Sequence, residues 1–379
     1  MRKTHITSFI VLATIFLLTS CIREEAPNAE CDIVAVKTSW LEANKNILCG
    51  KPIISNNAVR FYVNEETSIN VLKQLDPQFE LTPGAYIEKI NRVEENGERG
   101  VYLYYHAKSE DGNWCKPYEI SFTKQTVIDV DAVFSFENFA VNGKYHVWHE
   151  EDANGTKLNW WATANAGFSM SGQGKEPGNF PTSADTEGYK GYCVKLTTRS
   201  TGKFGQMLKM PIAPGNIFIG EFLTANATSK PLEATRFGLT IAPSKPVSLT
   251  GYYKYTSGEV FTNKAMEEIA GRRDTCAIYS VLYEVDPDNF VTLDGSNVLS
   301  SDRIVLVAQL ENAGDESEWT EFEIPYKEAN GKIFDYKKLE NGEYAITVVA
   351  SSSKGGEIFE GAVGSTLHID EVKINWENK

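Results

Sequence analysis

The sequence predicts an all-β protein, an immunoglobulin-like sandwich followed by a larger jelly-roll β-sandwich. Three observations carry that prediction. Short runs rich in Val, Ile, Tyr and Phe recur along the chain, several with alternating polarity. Asn-Gly and Asp-Gly pairs fall between them, at 96–97, 111–112, 142–143, 154–155, 294–295, 330–331 and 341–342, and such pairs suit tight hairpin turns. Only Ile69–Leu75 and Thr262–Ala270 have helical composition, and both are short.

The chain opens with a different kind of segment. Arg2 and Lys3 precede an apolar run from Phe9 to Leu18, and Leu-Thr-Ser-Cys follows it. A basic start and an apolar stretch of that length read as a secretory leader over 1–20, too short to span a bilayer permanently. The Leu17–Cys21 ending looks like a bacterial lipobox, so cleavage is expected to leave Cys21 as a lipidated N-terminus. Ile22 rather than Asp follows it, which points to the outer membrane, facing the periplasm or the cell surface. Residues 21–30 then form a polar, acidic tether. Without Arg2 and Lys3 the chain keeps 35 basic residues against 51 acidic ones, a charge of about −16. That excludes nucleic acid as a partner and docking on anionic headgroups by charge. The lipid has to do the anchoring.

Residues 31–126 read as the immunoglobulin-like part, with strands over Arg60–Val63, Val101–Ala107 and Tyr118–Phe122 and turns at Pro83-Gly84 and Asp111-Gly112. Residues 132–379 read as the jelly roll. Its strands are expected over Ile217–Phe222, Ala234–Ile241, Val247–Tyr255, Ala277–Val285, Arg303–Leu310, Tyr344–Ala350 and Thr366–Ile374. With Cys21 lipidated, five cysteines remain, an odd number. Cys31 and Cys49 are close enough in sequence to pair or to stay apart. Cys193 and Cys276, inside apolar strands, read as buried thiols. None has zinc spacing.

The larger part carries a series of phrases. They are Phe134-Ser-Phe-Glu137, Trp161-Ala-Thr-Ala-Asn165, Pro214-Gly-Asn-Ile-Phe-Ile-Gly220 and Leu249-Thr-Gly-Tyr-Tyr-Lys-Tyr255. Ile278-Tyr-Ser-Val-Leu-Tyr-Glu284, Ser351-Ser-Ser-Lys354 and the run from Gly361 to Val372 complete it. In this order they resemble the putative carbohydrate metabolism domain family of bacterial surface lipoproteins. Leu81–Ala85 and Ser109–Trp114 are similar to the partner domain such proteins carry. The resemblance implies a carbohydrate-binding-module-like sandwich tied to glycan handling. It also implies a glycan or polysaccharide as ligand and outer-membrane glycan-uptake proteins as neighbours. It supplies no reaction.

Familiar hydrolase signatures are missing: there is no GxSxG, HExxH, Walker loop or GxGxxG. His146, His149 and Glu150 form HxxHE, but the turn pairs at 142–143 and 154–155 make that segment a hairpin rather than a chelating helix. Glycoside hydrolysis needs two carboxyls with separated pKa values. Glu284, on an apolar strand, is the least ordinary candidate, and a salt-bridged strand residue is its plainer explanation. Carbohydrate binding needs flat rings beside amides and charges. Trp148, Trp160 and Trp161 lie among asparagines, and Arg236, Tyr252 and Lys254 fall on the polar faces of their strands. These six are the candidate glycan-binding residues. Many carbohydrate-binding sandwiches hold calcium where an early Phe-Glu meets a late Ile-Asp-Glu. Glu137 and Asp370 have that placement, and broken alternation predicts a bulge at Asp370 and Glu371. A structural calcium ion is therefore the one cofactor candidate. The expected function is a lipid-anchored surface protein that binds carbohydrate, with glycoside hydrolysis as the alternative.

Overall fold

The structure, a computed structural model, describes residues 27–377 apart from 56, 65, 96–99, 125, 152–156, 287–289 and 312. The leader, Cys21 and most of the tether lie outside the described residues. The fold is all-β, with 46% strand and 12% helix, and its sheets form no barrel among the described residues.

The N-terminal part has strands β1 (Ile33–Val36), β2 (Leu48–Ser55), β3 (Ala58–Val63), β4 (Phe79–Leu81), β5 (Tyr86–Glu95), β6 (Gly100–Lys108) and β7 (Cys115–Lys124). Five of them form one sheet in the order β2-β3-β7-β6-β5, with β3 and β7 parallel. The opposite layer is smaller: the β1–β4 ribbon and two six-residue helices, α1 (Thr38–Ala43) and α2 (Ile69–Gln74). Helix α2 falls where composition placed it. Ser68 caps it by accepting the Val71 N–H, and the chain leaves it at Leu75 ahead of Pro77. Phe61 and Phe122 stack at 4.7 Å in the core between the layers.

The C-terminal part is a two-sheet sandwich. Its main strands are β8 (Thr182–Asp185), β9 (Cys193–Thr197), β10 (Asn216–Phe222), β11 (Pro246–Thr256), β12 (Ala277–Glu284), β13 (Ile304–Gln309), β14 (Glu316–Pro325), β15 (Tyr344–Ser351) and β16 (Thr366–Trp376). One sheet has five strands in the order β8-β9-β16-β11-β14. The other has nine, with β10-β15-β12-β13 at its centre. Leu196, Leu249, Tyr253, Phe322, Leu367 and Ile369 on the first meet Ile217, Ile278, Leu282, Ile346 and Val348 on the second. This is the main core.

The outer faces differ. On β15, Ile346, Val348 and Ala350 enter the main core, while Ala345 and Val349 enter a second cluster on the other side. β12 does the same with Ile278 and Leu282 inside and Tyr279, Val281 and Tyr283 outside. Strands apolar on both faces must be covered on both. Phe290, Leu293 and Val298 cover this one, joined by Tyr62 from β3, whose ring meets Phe290 edge-on at 5.4 Å. A buried ion pair, Arg60 Nη1 to Glu221 Oε1 at 2.6 Å, adds a second tie between the two parts. Thr126–Val127 adds a third, pairing in parallel with Thr240–Ile241. The five remaining cysteines are all free thiols, Cys31 and Cys49 included.

Candidate functional site

The outer face of the five-stranded sheet stays open. On β11 the side chains of Leu249, Tyr253 and Tyr255 are buried, whereas Thr250, Tyr252 and Lys254 between them are half-buried on the other side. Register sets the neighbours: Lys254 lies opposite His368, His368 opposite Lys195, and Tyr252 opposite Glu321. Three rings line the face. Tyr189 stacks on Tyr252 with centroids 3.6 Å apart and planes within 7°. Trp319 stands edge-on to Tyr189 at 6.3 Å, and the Lys254 ammonium lies 4.8 Å from the Trp319 centroid. Tyr189 is 43% exposed, so the stack is accessible from solvent.

Charges surround the rings. Asp185 pairs with Lys195 at 3.1 Å and lies 3.7 Å from His368 Nε2. Burial works against the Asp185 charge, but the Glu187 amide and Lys195 outweigh it and hold the carboxyl below its ordinary range. Burial, then Lys195, pushes the His368 imidazole down to about 4, so it is neutral near pH 7. The Tyr252 hydroxyl is pushed up to about 12, first by its hydrogen bond with Tyr189. The face thus offers two stacked phenol rings, an indole, two ammonium groups, a neutral imidazole and the carboxylates of Asp185 and Glu321. Flat rings flanked by donors and acceptors suit a ring ligand with apolar CH faces and equatorial hydroxyls.

The loop over 186–192 delivers Tyr189, and the two expected calcium ligands hold that loop. Asp370 Oδ2 accepts the Lys190 N–H at 3.0 Å, Asp370 Oδ1 accepts the Glu371 N–H at 2.8 Å, and Glu137 Oε1 accepts the Tyr192 N–H at 2.9 Å. Gly191 has φ +59°, and a Cβ there would collide with the Glu137 carboxylate. The predicted bulge is present: two steps along β11 from Thr250 to Tyr252 match three along β16 from Lys373 to Asp370, with Glu371 at φ +49°. Where calcium ligation was expected, Asp370 instead turns both oxygens to backbone N–H donors. Burial pushes the Asp370 carboxyl up to about 6. Among the described residues no group of three or more histidine, cysteine or acidic side chains could hold a metal. His146 Nδ1 instead accepts the Ala184 N–H at 3.1 Å.

Of the six candidate carbohydrate contacts, only Tyr252 and Lys254 share this face. Trp148, Trp160 and Trp161 are corrected: they are 2%, 2% and 7% exposed and belong to the main core, where Phe134 meets Trp160 and Trp161 edge-on. A ring with no accessible face cannot stack on a sugar. Arg236 is corrected too. It pairs with β10 in the nine-stranded sheet and lies 3.5 Å from Asp294, on the opposite sheet from Tyr252. Glu284 takes the plainer role. Burial opposes its charge, yet the Lys332 and Lys338 ammonium groups outweigh this and lower its pKa, the latter from 2.6 Å. A general acid needs the opposite shift.

Sequence reasoning missed Tyr189, Trp319, His368, Asp185 and Lys195. Trp319 had a signal, being a lone indole amid Glu316, Glu318, Glu321 and Glu323 on an alternating strand. Tyr189 had none, because its loop reaches Tyr252 only through pairing partners distant in the chain.

A profile of the putative carbohydrate metabolism domain family matches residues 135–375. A solved putative glycoside hydrolase from Bacteroides thetaiotaomicron is similar at 38% identity and TM-score 0.70, over 94% of this chain and all of that one. A second, from Bacteroides vulgatus, is also 38% identical, with TM-score 0.60, over 66% of this chain and 98% of that one. No curated protein matches the chain significantly. The phrases from Phe134 to Val372 and the sandwich they build thus have one source: the chain belongs to the putative carbohydrate metabolism domain family.

Proposed function

We propose that this protein binds carbohydrate on the outer face of the five-stranded sheet and presents that face from the outer membrane, anchored by lipid on Cys21. The observation that carries the binding site is the Tyr189–Tyr252 stack with Trp319 and Lys254 beside it. A glycan array with the purified protein tests it. Expected is at least one polysaccharide ligand in the micromolar to millimolar range, since stacking on open rings contributes only a few kcal/mol. Trp319→Ala and Tyr252→Ala should each lose that ligand with folding intact. Binding unchanged in both removes the site. For the anchor, labelled fatty acid should enter the protein and vanish in Cys21→Ala; label persisting there removes that part. Outer-membrane proteins of glycan uptake are the partners this location supplies.

A second reading, glycoside hydrolysis, is favoured by the names of the two solved relatives. The carboxylates on this face are Asp185 and Glu321, while Glu284 is committed to two lysines. New reducing ends from the bound polysaccharide, abolished by Asp185→Asn or Glu321→Gln, would establish it in place of simple binding.

A further inference from the structure

On the far side of the sandwich the covering of the nine-stranded sheet is incomplete. An apolar cleft of about 390 Å³ opens beside β10, β12 and β15. Small-molecule sites run from roughly 300 to 1,000 Å³. Phe218, Tyr279 and Val349, all buried, lie along it. Met170, Phe204, Leu208 and Leu299 also line it, yet they remain 46%, 42%, 37% and 45% exposed. Apolar side chains gathered around an opening, rather than scattered singly, mark a place that something else covers.

The polar groups say what kind of molecule fits. Thr201 donates its hydroxyl to the Met210 carbonyl, and Asn216 Oδ1 accepts the Ala164 N–H. Lys354 lines the cleft and makes no ion pair among the described residues. The Tyr279 hydroxyl makes no hydrogen bond among them, and burial, then Glu357, raises its pKa, so it stays protonated as a donor. A hydrocarbon chain suits the apolar part of this lining. We propose that the cleft holds a medium-chain fatty acid, its hydrocarbon in the apolar trough and its carboxylate on Lys354 and the Tyr279 hydroxyl. Glu357 shares the rim and opposes that carboxylate.

Calorimetric titration of the purified protein in detergent-free buffer tests this. Dodecanoate should bind at one site, and dodecyltrimethylammonium, with the same chain and opposite charge, about tenfold more weakly or worse. Lys354→Met should weaken dodecanoate about tenfold, the scale of one charge-assisted contact. Glu357→Gln should tighten it by relieving repulsion. Ser300→Trp, at an exposed rim position, should block both ligands, and circular dichroism checks that each variant folds. No heat with dodecanoate overturns the proposal. So does equal affinity for the two head groups, or dodecanoate affinity unchanged in folded Lys354→Met. None of these outcomes bears on carbohydrate binding at the opposite sheet.

Discussion

The two outer faces of the sandwich are built from the same strand geometry and end in opposite states. On the nine-stranded sheet, Phe218, Tyr279, Val281 and Tyr283 project outward into a second cluster with Phe290, Leu293, Val298 and Tyr62, which leaves the cleft beside Phe218 and Tyr279 open. On the five-stranded sheet, Thr250, Tyr252, Lys254, His368 and Lys195 project outward and stay partly accessible. The difference lies in the residues at alternate positions. An apolar residue at each outward step demands a second layer, whereas mixed polar and aromatic residues can face water. Where it is covered, such a sheet is spent on holding the molecule together. A sheet left open keeps rings and charges available for a ligand.

Breaking the covered face should have the largest effect. Phe218→Ala is expected to cost about 3–5 kcal/mol, read as a drop in the denaturant midpoint, because it removes a buried ring packed edge-on against Phe237 in that cluster. Trp319→Ala on the open face should change stability by less than about 1 kcal/mol while lowering glycan affinity. Equal destabilisation by the two would erase the distinction.

Titration probes the interior against the open face. Glu150 accepts the Trp161 Nε1–H at 2.7 Å, and burial pushes its carboxyl from 4.5 to about 7. The folded state therefore holds this proton more tightly than the unfolded one. Its stabilising contribution is complete below about pH 4.5 and fades as pH rises through 7. Wild type should lose about 3 kcal/mol across that window relative to Glu150→Gln, measured by urea unfolding at each pH. His368 on the open face has the opposite sign. With its pKa depressed to about 4, its contribution is present above pH 6.5 and lost as pH falls toward 4. His368→Gln should flatten that acid limb.

The smallest effects belong to residues that sequence made prominent. Glu284→Gln should cost about 1 kcal/mol, since both its lysine partners are partly exposed, and it should leave any carbohydrate activity unchanged. A chelator should not move the melting temperature, because Asp370 and Glu137 grip backbone N–H groups. A downward shift reversed by calcium would restore the metal.

Much of the fold was legible because alternation is local. The strands over Ile217–Phe222, Val247–Tyr255, Ala277–Val285 and Tyr344–Ala350 fall where residue pattern put them, and so does the outward pair Tyr252 and Lys254. The bulge at Glu371 was visible as a break in that pattern. The tryptophans were misjudged because asparagines beside them in sequence are not beside them in space. Asn165, for one, is buried, its side chain bonded in both directions to the Thr182 backbone.

By itself, then, the sequence determined the all-β class, most strand positions, the face each strand side chain takes, and family membership. These depend on period, turn chemistry and the order of phrases, all of which are written along the chain. Tertiary structure alone decided which sheet Arg236 joined, which rings were covered, and that Asp370 and Glu137 would seat Tyr189 on Tyr252. The physical reason is that exposure and charge partnership are set by the strand lying opposite. For Tyr252 the determining neighbours are Glu321 and Asp370, far along the chain and adjacent only after the sheet has formed.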